Sequence, residues 1–237
     1  MNLVNSFKVM KISPLGDSAL TVDFTDESSN REQLLARALS VAEALEGANV
    51  PGVIDVTSAY ESVAVFFDLA RIERDVEEKI RALVASARIR VSRKRRRIEI
   101  PVCYDADFAL DLARVEAETN LSADTIIALH SSAEFIVACV GFMPGFPFLA
   151  GLPEKLRTTR LATPRTKVPA GSVAIARTQA GVYPVESPGG WNLIGRTPLR
   201  LFDANANPPA LLQAGDRVRF RGIMRNEFEA RVKESSG

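Results

Sequence analysis

The chain is poor in the residues that build metal and nucleophile sites. It holds one histidine, His130, and two cysteines, Cys103 and Cys139. A single histidine excludes a multi-histidine centre and argues against zinc. The two thiols form neither a CxxC pair nor a disulfide framework, which implies a reducing, cytoplasmic setting with both buried. No GxxxxGK[ST] loop, GxGxxG turn or GxSxG elbow is present, so the common signatures of nucleotide phosphate binding, dinucleotide binding and serine hydrolysis are missing. Net charge is +1, too small to attract nucleic acid or an anionic membrane. No apolar run is long enough to span a bilayer. The opening MNLVNSFKVMK has no apolar core, so a signal peptide is not expected.

The remaining sequence is ordinary in bulk and uneven in detail. Apolar residues make up 46% of the 237, enough for a sizeable core. Ten of the thirteen prolines and eight of the fourteen glycines fall between Gly141 and Pro209, so the two parts of the chain should differ in architecture. Before this stretch, strands and helices alternate. Residues 18–24, 52–60 and 62–68 read as strands rich in β-branched and aromatic residues. Residues 31–45 place Leu34, Leu35, Ala38, Leu39, Ala42 and Leu45 on one helical stripe, and residues 72–87 do the same with Val76, Ile80, Leu83, Val84 and Ala87. The order β-β-α-β-β-α predicts a small α+β domain over residues 1–95, with helices on one face of an antiparallel sheet.

The basic run Arg93–Arg97 reads either as a nucleic-acid patch or as a solvated linker. The balanced charge favours the linker. From residue 96 to 237 a second domain is expected. It has a first strand, a helical pair over 110–120 and 122–135 with Ser122 as N-cap, then short strands at 134–142, 171–178, 181–186, 199–203 and 216–222. Many short strands cut by turns predict a barrel or a sandwich. Between Gly141 and Leu201 lie eight basic residues and two acidic ones. Backbone turns rich in glycine, with arginines nearby, suit a small anionic ligand; a solvated basic surface is the alternative.

The motifs GFMPGFPFLAGLP (141–153), TPRTKVPAGSVAIARTQAGVYPVESPGGWNLIGRTP (163–198) and IALHSSAEFIV (127–137) resemble the family of 5-oxoprolinase B subunits. That family also takes in KipI-type kinase inhibitors and the allophanate hydrolase subunit 1 domain. The resemblance implies a ferredoxin-like α+β N-terminal domain followed by a mainly β, cyclophilin-like barrel. It implies ATP-dependent conversion of 5-oxoproline to L-glutamate, in a hetero-oligomer with a homologous C-type subunit and an A-type subunit. ATP contacts would be shared with those partners, with no metal in this chain and neither nucleic acid nor membrane as partner. The alternative branch binds and inhibits a sensor histidine kinase. The chain departs from the family pattern at Phe135 and Phe148, where tyrosine is common, and at Arg177, where IART replaces the usual IAG.

The candidate site residues lie on these motifs. Arg196 and Arg165 are candidates for neutralising a carboxylate or developing negative charge, and His130 is the third catalytic candidate, with a bond to a last-turn helix carbonyl as its structural alternative. Trp191 is either a stacking wall for a flat ring or a core plug, aimed inward by a tight turn at Pro188, Gly189 and Gly190. Phe142, Pro144, Gly145 and Phe146 either line the pocket or join the core. Gly171 and Ser172 belong to the Pro-Ala-Gly-Ser frame. Ser172 and Gln179 offer hydrogen bonds to a ligand, and Ser187 offers one either to a ligand or to the turn. Arg196 has a structural alternative, a bond to loop carbonyls.

Overall fold

The structure is a computed structural model that describes residues 10–24, 31–87 and 96–234. The start of the opening segment, the first three residues of the basic run and the expected division at 95/96 lie outside the described residues. The chain divides into two compact units between residues 94 and 95.

The first unit contains β1 (Met10–Pro14), β2 (Ala19–Phe24), α1 (Arg31–Gly47), β3 (Val53–Ala59), β4 (Ser62–Phe67) and α2 (Val76–Ser86). Its four strands form an antiparallel sheet in the order β1-β2-β4-β3. The period-2 pattern decides which face is covered. Leu20, Val22 and Phe24 of β2 join Val63, Val65 and Phe67 of β4 in one core with Ala38 and Leu45 of α1 and Ile80 and Val84 of α2. All six residues of the stripe read on α1 are buried.

The second unit contains β5 (Arg97–Val102), α3 (Leu112–Thr119), α4 (Ala123–Ser132), β6 (Phe135–Val140), β7 (Pro147–Ala150), β8 (Arg165–Val168), β9 (Ser172–Ala176), β10 (Gln179–Val182), β11 (Ser187–Gly189), β12 (Asn192–Arg196), β13 (Arg217–Gly222) and α5 (Arg225–Glu234). Seven strands make one sheet in the order β12-β9-β10-β7-β6-β13-β5. Its two edges meet: Cys103, just past β5, and Arg196 of β12 exchange backbone hydrogen bonds of 2.9 Å each. The sheet is therefore a nearly closed barrel. β8 and β11 form a separate two-stranded ribbon. Ser122 caps α4 as expected, accepting from the Thr125 N–H at 3.3 Å. Arg96, at the end of the basic run, is tied to the Asp216 carboxylate and the Leu211 carbonyl.

β9 is covered on both of its faces. Every one of its residues is buried. Val173 and Ile175 face a core shared with Ile100, Phe135, Leu149 and Ile194. Ala174 and Ala176 face a second cluster with Phe146, Tyr183, Trp191 and Leu193. A strand covered on both sides reads as a continuous apolar run, as this one does.

Three sequence expectations are corrected here. The strand placed at 181–186 starts at Gln179 and stops at Val182, because Pro184 has no N–H to extend the ladder. The segment 199–203 contributes only an isolated bridge, Phe202 with Ala210. Ser187, Pro188 and Gly189 form β11 rather than a tight turn, paired with β8. Glycine is needed at 189 because a Cβ would lie 2.3 Å from the Tyr183 hydroxyl oxygen.

Gly171 is the tightest point of the barrel rim. It has φ +80, and a Cβ there would sit 2.4 Å from the Thr197 carbonyl oxygen. Gly171→Ala combines left-handed strain with a backbone clash and should cost about 3 kcal/mol in urea denaturation; a loss below about 1 kcal/mol would show that the rim yields easily.

Candidate functional site

The strand registers gather several candidate residues at one end of the barrel. The end of β12 pairs with the start of β9, Arg196 opposite Ser172. The end of β10 pairs with the start of β9, and Val140 at the end of β6 pairs with Pro147 at the start of β7. The loops 141–146, 169–171 and 183–186 and the segment 196–198 therefore share this end. They carry Phe142, Pro144, Gly145, Phe146, Gly171, Ser172 and Arg196.

Arg196 is the central group. Its Nε donates to the Ala170 carbonyl at 2.8 Å, and its guanidinium lies 5.7 Å from the Phe108 ring centroid. No carboxylate pairs with it among the described residues. Burial without a counter-charge holds its pKa below the ordinary arginine value. One edge of the guanidinium is thus bonded to a loop carbonyl, and the other carries N–H donors with no acidic partner among the described residues.

Arg165 is differently placed. It donates to Asp111 Oδ1 at 2.6 Å, and Asp111 Oδ2 accepts the Leu193 N–H at 2.7 Å. Asp111 is almost fully buried. Arg165 is thus paired with a carboxylate that also holds β12, while its buried Nη1 has no partner among the described residues. Sequence reasoning misses Asp111, which sits 54 residues away with no motif around it.

His130 is completely enclosed. Nδ1 lies 2.8 Å from the Tyr104 hydroxyl, and the ring stacks on Phe220 at 4.3 Å. Nε2 has no partner. Desolvation lowers its pKa to about 3, so the ring is neutral at physiological pH. A catalytic role needs access that this ring lacks, and the structure makes His130 a core residue.

Trp191 is 5% exposed. Phe146 and Phe148 meet it edge-on at 5.7 and 5.9 Å, and the Arg160 guanidinium lies 5.7 Å from its ring centroid. The plug reading fits this packing; a stacking wall would need an open face. Phe146 likewise belongs to the core, whereas Phe142 is 69% exposed with φ 72, rare for a bulky residue. The Ser172 hydroxyl donates to the Pro169 carbonyl at 2.7 Å, shaping the loop rather than facing solvent. The buried Ser187 Oγ has no partner among the described residues, and Gly190 lies against the Pro164 ring. Gln179 begins β10 at the opposite end of the strand from Arg196.

The comparisons with known proteins bear on this arrangement. Residues 10–212 match the family model for the carboxyltransferase domain, subdomain C and D. The chain is 39% identical to the 5-oxoprolinase B subunit of Bacillus subtilis (strain 168), covering 95% of this chain and 98% of that one. The chain belongs to the family of 5-oxoprolinase B subunits. A second member, the 5-oxoprolinase B subunit of Escherichia coli O157:H7, is 42% identical over 87% of this chain and 93% of its own length. Among solved structures, TTHA0988 superposes with a TM-score of 0.76 at 38% identity over 86% of this chain; the chain spans 40% of that protein's length. Among the described residues, no helix is long and apolar enough to cross a membrane and no cluster of His, Cys, Asp or Glu could hold a metal ion.

Two outcomes test this description. Asp111→Ala leaves the Arg165 guanidinium and the Leu193 N–H unpaired, and should cost about 3 kcal/mol in chemical denaturation. His130 contributes pH dependence of known sign. Its folded pKa is depressed, so its stabilisation is complete above about pH 6.5 and is lost as pH falls toward 3. His130→Phe should flatten the slope of stability against pH between about 6.5 and 5 relative to the parent; an unchanged slope would mean that the histidine is not buried neutral.

Proposed function

We propose that this chain is the B-type subunit of an ATP-dependent 5-oxoprolinase, acting in the cytoplasm with a homologous C-type subunit and an A-type subunit to turn 5-oxoproline into L-glutamate. The observation that carries the reading is Arg196: half-buried, without a counter-charge among the described residues, and bonded through Nε to the Ala170 carbonyl. A desolvated guanidinium with free N–H groups suits a carboxylate such as that of 5-oxoproline, and it stabilises negative charge more strongly than a solvated one. Gly171 and the Ser172–Pro169 bond bring the neighbouring backbone close, so the group is pre-positioned. Asp111 and Arg165 hold β12 in register behind it.

One guanidinium fits one carboxylate. It does not match the charge of a triphosphate, so phosphate contacts at this end fall to the partner subunits. ATP supplies the activation that an unreactive lactam needs; this chain's residues bind and orient the substrate. Phe142 and Val185, exposed on loops at the same end, offer apolar contacts to a partner. The same two residues would serve a regulator that docks on a sensor histidine kinase, and a kinase autophosphorylation assay with this chain present separates the two readings.

The direct test is ATP-dependent glutamate release from 5-oxoproline by the reconstituted subunits, with each omitted in turn. Activity should vanish without this chain, and this chain alone should be nearly inactive. Arg196→Ala should lower kcat/KM by about 100-fold while the subunits still co-purify. A stable complex without oxoproline turnover would reassign the substrate.

A further inference from the structure

At the opposite end of β9 lies a cleft of about 550 Å³, widely open to solvent. It is bordered by Arg157, Arg160 and Arg177. We infer that this cleft is a second anion site, which takes a phosphate-bearing small molecule.

The charge is unbalanced within a concave surface. Arg157 is paired with Glu154 at 2.7 Å. Arg160 lies over the Trp191 ring, and neither it nor Arg177 has an acidic partner among the described residues. The one carboxylate on the cleft wall, Glu118, is already committed: its Oε1 accepts the Thr159 N–H at 2.6 Å, and its Oε2 faces Arg114. Like charges collected in a cleft focus a positive potential, and a polyanion relieves it. Guanidinium groups, with their planar forks of N–H donors, match phosphate oxygens.

The walls are rigid. Asn192 is fully buried, and its Nδ2 donates to the Thr159 carbonyl at 2.8 Å and the Thr158 hydroxyl at 3.1 Å. Its Oδ1 accepts from Arg114 at 3.1 Å. The Arg177 N–H donates to the Thr158 carbonyl at 2.6 Å, which locks the turn carrying Arg177 to the loop carrying Arg157 and Arg160. Arg177 itself has φ 53, a conformation that favours glycine. This chain therefore carries an arginine at a glycine-favouring position, where it borders a cleft with two others. The site is separate from the Arg196 end and independent of the oxoprolinase reading.

Arg160 over the sole tryptophan provides the readout. Titration of the isolated chain with tripolyphosphate, ATP and orthophosphate, each at constant ionic strength, should be followed by Trp191 fluorescence and by calorimetry. Tripolyphosphate should give a saturable response with a submillimolar Kd. ATP binding more tightly would identify a nucleotide as the ligand, and equal affinity would identify the phosphates alone as the recognised group. Arg160→Ala and Arg177→Gly should each weaken binding by about 10-fold, and the glycine variant should keep the fold because glycine adopts that φ readily. The inference is overturned if neither fluorescence nor calorimetry saturates, if sodium chloride gives the same response, or if both variants bind like the parent. Phosphate binding by the isolated chain and glutamate release by the reconstituted subunits are separate readouts, so either proposal can fail without the other.

Discussion

Two backbone hydrogen bonds between Cys103 and Arg196 close the second unit. Without them a seven-stranded sheet would expose two edges of unpaired N–H and C=O groups. The closure depends on a small residue beside it: a Cβ at Gly195 would come within 2.7 Å of Val102 and 3.0 Å of the Cys103 carbonyl. The residue that joins the edges is also the one that presents a guanidinium without a counter-charge. Backbone closure and ligand chemistry are therefore coupled in Arg196: its N–H and C=O are fixed by the barrel, and its side chain is aimed by that fixation.

The second organising feature is burial on both faces of β9, β10 and β12. Strands covered twice have little room for polar groups, and the buried polar side chains at this sheet act on defined partners. Asp111 holds the Leu193 N–H and Arg165 with its two oxygens. Asn192 uses both ends of its amide to anchor Arg114 and the 158–159 loop. His130 contributes a flat ring to a stack with Phe220 and one bond to Tyr104. These groups act on neighbouring backbone or side chains, so their roles are in placing other residues.

Much of the first unit is legible in the sequence, because its elements carry clean periodicity: the α1 stripe and the alternation of β4 translate directly into burial. In the second unit the resemblance locates the important segment, but local reasoning misreads parts of it. Pro188-Gly189-Gly190 looks like a turn because proline and glycine favour turns; it supplies a strand because the Tyr183 ring needs the space that glycine leaves. β7 and β12 escape a reading of the pattern because they are short and carry Pro147 and Gly195. Asp111 and Asn192 leave no local signal because their partners lie far off in sequence. The excess of arginine over acid in this segment is visible from composition, while the grouping of three arginines in a cleft requires the fold.

The first and last strands of the barrel are parallel neighbours, β5 beside β13, with Arg97 opposite Arg217 and Val102 opposite Gly222. Parallel strands cannot be joined by a short hairpin, and here nearly the whole unit forms the connection. During synthesis, β5 leaves the ribosome long before its neighbour exists. The pairings of β6 with β7 and of β9 with β10 are local and can form as the chain emerges. β5 must wait for residues 217–222, so the barrel is completed by a long-range step of the kind that slows folding.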